Sequence, residues 1–240
     1  MAGGVVHRWT VEAAGFQVNL DTLIMTWGVM LLLLGLAFTA VKSLQRKPTN
    51  SQSVVEATVE FVENIIKAQI GPHVVPYMGL IGSIFLFVLF ANFQGIIPWK
   101  SLAAFGFPKM LAPTNDLNTT AALATIALVS YFYFGISKKG VVGYFSHYFQ
   151  PVFMFPLHVI EDIVRPLSLA MRLFGNIIGG QILITVLLML APVLIPTPII
   201  AFEFFVAFIQ AYIFALLTAS YIGAATQGHD DHEHAKAAAH

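Results

Sequence analysis

Residues 173–202 contain no charged side chain, and Arg172 stands at the head of that run. An uncharged stretch of this length can cross a hydrocarbon layer of ~30 Å, and inside such a layer a helix satisfies its own backbone polar groups. The chain is therefore held to a helical, membrane-embedded fold. Arg172 then sits where a cation costs at least about 2.5 kcal/mol. Its neighbours three and four positions away are Ser168, Leu169, Gly175 and Asn176, none of them acidic. Arg165 differs, because Glu161 and Asp162 lie four and three residues before it and can pair with it. Arg172 reads as a permanent cation held for a partner outside its own helix.

The rest of the chain agrees with this class. Of its 240 residues 58% are hydrophobic and only 10% charged, whereas soluble domains carry about a quarter. Net charge is zero, which leaves no footprint for nucleic acid, and the absence of cysteine excludes disulfide and thiolate chemistry. One membrane domain, 1–240, is expected. Residues 1–20 read as an external N-terminal segment, without the apolar core and small-residue site of a cleaved signal peptide. Residues 22–41 make a first span, with Asp21 before it and Lys42, Arg46 and Lys47 after it.

Residues 51–70 are amphipathic instead. Ser53-Val54-Val55-Glu56 fits a capping box, and Glu56, Glu60, Glu63 and Lys67 form one polar stripe. This helix is too polar to span and belongs at the membrane surface or against another subunit. Spans follow at 76–98 and 117–136. Tyr77 and Trp99 flank the first, and the turn-prone Pro113-Thr114-Asn115-Asp116 precedes the second.

Two long helices, 152–190 and 199–226, complete the chain; both outrun the bilayer and must tilt steeply. Pro156 and Pro166 are candidate kink points, and Pro192, Pro196 and Pro198 break the chain between the two. The fold class is thus an all-α polytopic membrane protein of about five membrane-embedded helices plus one amphipathic interfacial helix. Residues 227–240 read as a flexible tail. Its His229-Asp230-Asp231-His232-Glu233-His234 run resembles a loose metal binder, for which a solvated terminus is the simpler account. Lys42, Arg46, Lys47, Lys138 and Lys139 outnumber Arg8, Lys100 and Lys109 on the other side, so the N-terminus is expected outside and the C-terminus in the cytoplasm.

On the Arg172 helix, Ser168, Arg172, Gly175 and Gly179 fall on one face at 4-3-4 spacing, flanked by Asn176 and Gly180. Small residues on a membrane helix let another helix approach closely. Tight packing within the chain accounts for the glycines equally well, but not for the arginine. Other polar groups in the membrane are sparse. Glu203 and Gln210 share one face of the last helix, and Gln181 lies two and a half turns beyond Arg172. Glu203 is a carboxyl able to carry a proton, or a buried hydrogen-bonded acid. Asp116 and Asn118 lie at the mouth of the 117–136 span, where Asp116 serves equally well as a helix cap. No nucleotide loop, membrane metal cluster or nucleophile constellation is present, so no cofactor is expected. Three readings stay open: a proton path completed by a partner's carboxylate, a stand-alone anion or proton transporter, and a non-conducting scaffold.

Arg172-Leu173-Phe174-Gly175-Asn176, with Arg165-Pro166-Leu167-Ser168-Leu169 before it, closely resembles subunit a of the F-type ATP synthase. Pro113-Thr114-Asn115-Asp116-Leu117-Asn118, the segment from Asn92 to Pro98, and Gln210-Ala211-Tyr212-Ile213-Phe214 are similar to other motifs of that family. The resemblance implies a non-catalytic stator subunit that carries H+, in an energy-transducing membrane such as the bacterial inner membrane. Its partners are a ring of c subunits, b-type peripheral stalk subunits and membrane lipid. It implies that Arg172 faces the essential carboxylate of the ring. Ser168, Gly175, Asn176, Gly179 and Gln210 line the ring interface. Glu203, Gln181, Asp116 and Asn118 form an external half-channel, and His158, Glu161 and Asp162 a cytoplasmic one. One familiar bacterial pattern has glutamate at the position of Gln181 and histidine at that of Glu203, so here the acid sits on the opposite helix.

Overall fold

The computed structural model describes residues 10–13, 16–42, 50–96, 112–141, 143–144, 155–190 and 196–227. The His229–His234 run, Trp99, Pro192 and the basic residues Arg8, Arg46, Lys47, Lys100 and Lys109 lie outside them. A small antiparallel hairpin comes first. Strands β1 (Thr10–Ala13) and β2 (Phe16–Asn19) pair Thr10 with Asn19 and Ala13 with Phe16. It is an addition to the helical fold expected from the sequence. It leads directly into α1 (Leu20–Lys42), which is followed by α2 (Asn50–Gln69) and α3 (Val75–Ile96). A 3-10 turn at Pro113–Asn115 introduces α4 (Leu117–Lys139), and two long helices, α5 (Phe155–Leu190) and α6 (Pro196–Gln227), close the chain.

Among the described residues, α1, α3, α4, α5 and α6 are each long and apolar enough to cross a membrane. With α2 they make the polytopic helical architecture expected. The 36 residues of α5 extend ~54 Å at ~1.5 Å each, well beyond a ~30 Å hydrocarbon layer. Pro156 falls in the first turn of α5, where its missing N–H has no intrahelical partner to lose, while Pro166 lies inside the helix. α1 buries only Asp21, Met25 and Val29; its remaining apolar surface, Trp27 and Phe38 included, is exposed as befits a helix in lipid.

The core is assembled by α3 and α6, which pack most extensively on each other, with α4 and α5 closing one side and α2 another. Ile66 of α2, Ile81 and Val88 of α3, Leu173 of α5 and Phe214 of α6 are essentially inaccessible. Ala211, Ala215 and Ala219 recur every four residues along α6 and are fully buried, so the α6 backbone can come close to its neighbours. Phe61 of α2 extends the core outward, its ring centroid 5.4 Å from Phe85, 5.9 Å from Phe208 and 5.6 Å from Tyr212.

The helix α2 is two-sided as its pattern demands. Val62, Ile65 and Ile66 face the core, Glu56, Glu60 and Lys67 face out, and Lys67 pairs with Glu63 at 2.7 Å. The expected capping box is corrected: the helix starts at Asn50, so Ser53 lies within its first turns and not at its cap. Its last turn rests on α6, where Gly223 meets the backbone carbonyl of Gln69 so closely that no Cβ could be placed there. Absence of a side chain at Gly223 is what lets α2 dock.

Candidate functional site

The helix α5 has two faces of opposite character. Leu169, Leu173, Ile177, Gly180 and Ile184 are buried against the rest of the chain at 3-4 spacing. Ser168, Arg172, Gly175 and Gly179 are exposed on the other side, and Asn176 is half-buried at its edge. A Cβ added at Gly175 or Gly179 meets nothing within 4 Å, so these glycines are not spent on packing inside the chain. Gly180, which flanks them in sequence, belongs instead to the buried face. Among the described residues Arg172 has no ion-pair or hydrogen-bond partner. Its charge is thus presented on a smooth face that the described residues leave uncovered.

Beyond Arg172, residues of several elements converge on a polar cluster. At the α5 level, Asn115 of the 3-10 turn donates through Nδ2 to Oε1 of Gln181 at 3.0 Å. The next residue, Asp116, caps α4 by accepting the Asn118 backbone N–H at 3.0 Å. Its other oxygen accepts from Nδ2 of Asn19 and, at 3.3 Å, from the Thr22 hydroxyl. Asp116 is therefore a cap and an inter-helix tie at once. Asn118 contributes its backbone, and its side chain is exposed.

Glu203 reaches the same region from α6. Its carboxyl lies over Gly180, the residue before Gln181, and a Cβ at Gly180 would stand 2.5–2.7 Å from the carboxyl carbon and both oxygens. The end of α3 closes the cluster. Gly95 abuts Ala112 and Ile177, and the Phe93 ring lies 5.2 Å from Phe204, the neighbour of Glu203. One turn earlier on that face of α3, Asn92 is fully buried with neither side-chain polar atom bonded, and the Thr114 hydroxyl is likewise buried without a partner among the described residues. A buried polar group of this kind costs ~1–3 kcal/mol unless it is satisfied.

Toward the start of α5 lies a second charged group. Arg165 pairs with Glu161 at 3.0 Å and with Asp162 at 3.6 Å, as their spacing leads one to expect. Its guanidinium carbon also stands 5.6 Å from the Tyr131 ring of α4 and 5.4 Å from the Tyr221 ring of α6. The side chain of His158 lies outside the described residues.

The structure brings Glu203, Gln181 and Asp116 to one end of the bundle, and leaves Ser168, Arg172, Gly175 and Gly179 on an open face. It does not place Gln210 there. Gln210 shares the buried stripe of Ala207, Ala211 and Phe214 on α6, and its Nε2 has no partner among the described residues. Asn19 and Thr22 enter the cluster with no sequence pattern to mark them. Asn115 belongs to the turn-prone Pro113-Thr114-Asn115-Asp116 segment and Gly180 flanks the small-residue face, but neither pattern shows that they meet Gln181 and Glu203.

Among the described residues, five helices long and apolar enough to cross a membrane and an exposed arginine without an ion-pair partner define a multi-pass membrane protein. The family model of the ATP synthase A chain matches residues 23–223, from the first turn of α1 to Gly223 of α6, and the chain belongs to that family. It is accordingly a proton-translocating subunit of the Fo sector, the non-catalytic membrane part of the ATP synthase, and associates with the c-ring and the rest of the complex.

Proposed function

We propose that α5 and α6 form the stator surface past which the c-ring turns, with Arg172 as its charge. The observation that carries this reading is a small-residue face left open by the described residues, around an arginine with no ion-pair partner among them. Ser168, Gly175, Asn176 and Gly179 admit a ring helix close enough for its carboxylate to meet the guanidinium. The arginine favours the ionised carboxylate and bars a proton from passing directly between the two sides. Gln210 stands behind this surface as a buried support.

Two half-channels reach Arg172 from opposite directions. The outer one runs past Asp116, Asn118, Gln181 and Glu203. Gln181 is nine residues from Arg172, ~14 Å along the helix, while Asp162 is ten residues away on the other side, ~15 Å. The inner path opens at that level, near His158, Glu161 and Asp162. A proton taken up past Glu203 neutralises a ring carboxylate, which can then enter lipid, where its ionised form is far less soluble. After nearly a full turn the carboxyl loses its proton on the inner side and passes Arg172 as an anion.

The same reading places the N-terminal hairpin outside and the C-terminus in the cytoplasm, in the bacterial inner membrane, with b-type stalk subunits and lipid covering the surfaces that the ring leaves free. The test is Arg172→Ala. We expect assembled complex without proton-driven ATP synthesis; normal coupled synthesis by that variant would overturn the proposal.

A further inference from the structure

Arg165 stands seven residues before Arg172, so both rise from nearly the same edge of α5, ~10 Å apart. Two cations on one edge create a problem, because a ring carboxylate could settle on either. The structure treats them differently. Arg172 is exposed and has no ion-pair partner among the described residues, whereas Arg165 carries two carboxylates from its own helix, Glu161 at 3.0 Å and Asp162 at 3.6 Å. One guanidinium against two carboxylates leaves no positive charge to offer a third. The Tyr131 and Tyr221 rings, 5.6 and 5.4 Å away, further hold the guanidinium between α4 and α6 and away from the open face.

We infer that Glu161 and Asp162 silence Arg165, so that Arg172 is the one cation on this edge able to receive the ring carboxylate. The inference rests on the proposed role of Arg172. It divides the proposed inner path: His158 is left as the group that passes protons there, and the two acids beside it are positioning residues that act through Arg165. Without them Arg165 is a competing anion site two turns toward the cytoplasm, and each passing carboxylate dwells there.

The experiment uses membrane vesicles carrying the whole complex, stripped of the soluble sector, with passive proton flux measured per assembled membrane sector. Glu161→Gln with Asp162→Asn is expected to slow flux about tenfold, and adding Arg165→Gln to restore it to within about twofold of the parent, as is Arg165→Gln alone. Slow flux that Arg165→Gln does not rescue means that the carboxylates carry protons themselves, and overturns the inference. Unchanged flux in the double variant overturns it too, as does slow flux in Arg165→Gln alone. Should the double variant fail to assemble, Glu161→Gln alone removes the shorter contact; a smaller slowing with the same rescue is expected, and its absence counts against the idea. Arg172→Ala is run beside them: normal flux there identifies a failure of the underlying reading and not of the screening.

Discussion

At Gly180 a single methyl group would collide with the Glu203 carboxyl, so the position of the acid depends on an absent side chain in the facing helix. Gly180→Ala is expected to displace the carboxyl and slow proton flux about tenfold or more, since misplacing a reacting group by ~1 Å costs up to ~100-fold. Glu203→Asp, shorter by one methylene, should restore part of that loss when combined with Gly180→Ala. Flux assays on the two single variants and the pair check this, and equal loss in all three would assign the effect to disturbed packing. Glu203→Gln should slow flux as well; an unchanged rate would make the carboxyl structural. The same residues show what a sequence carries. Arg172 was legible because charge in an apolar run is costly whatever the fold. The contact between Gly180 and Glu203 was not, because two helices must cross at a definite angle before it exists.

Among the elements, α5 and α6 differed in how far their faces could be read. On α5 the glycine spacing and the arginine marked a distinct face but left open whether the chain itself packs on it; Arg172, Gly175 and Gly179 are exposed. On α6 apolar residues surround the axis, so no periodicity distinguishes a buried stripe from a lipid-facing one. That is why Gln210, on the buried stripe, could be taken from sequence for a surface residue. Helix α2 was legible in type and less so in its start, since a Ser-to-Glu pattern at capping distance also occurs inside a helix. Its docking depends on Gly223. Gly223→Val is expected to push the Gln69 carbonyl aside and destabilise the assembled subunit by about 1–3 kcal/mol, the usual cost of overpacking. Thermal release of the subunit from purified complex measures it. An unshifted transition would show that α2 can relax without cost.

Across the whole molecule, the five spans and the surface helix follow from composition and period, whereas the ties that fix one span to another do not. Asp116 is the clearest case: its partners Asn19 and Thr22 lie 97 and 94 residues earlier, and no local pattern announces them. Asp116→Ala removes a helix cap and two links to the start of α1, and is expected to lower stability by about 2 kcal/mol, roughly one for the cap and the rest for the links. Asp116→Asn keeps an acceptor for the cap and should cost less. Flux through Asp116→Asn compared with Glu203→Gln ranks the two acids on the proposed outer path. The slower of the two is expected to be Glu203→Gln, because Asp116 is already committed to three donors; the reverse order would make Asp116 the principal outer carrier.

The bare stretch around Gly175 and Gly179 has a mechanical consequence. Interlocking helices register because knobs on one seat in holes on the other, and each seating is an energy minimum to be climbed out of. A face stripped to backbone offers few holes, so a helix moving across it meets nearly constant contact energy at every offset. If the proposed ring moves over it, such a surface behaves as a plain bearing and not as a ratchet. Whatever directs that motion must then come from the charge set into the face, and substituting bulk at Gly175 or Gly179 would add detents to it.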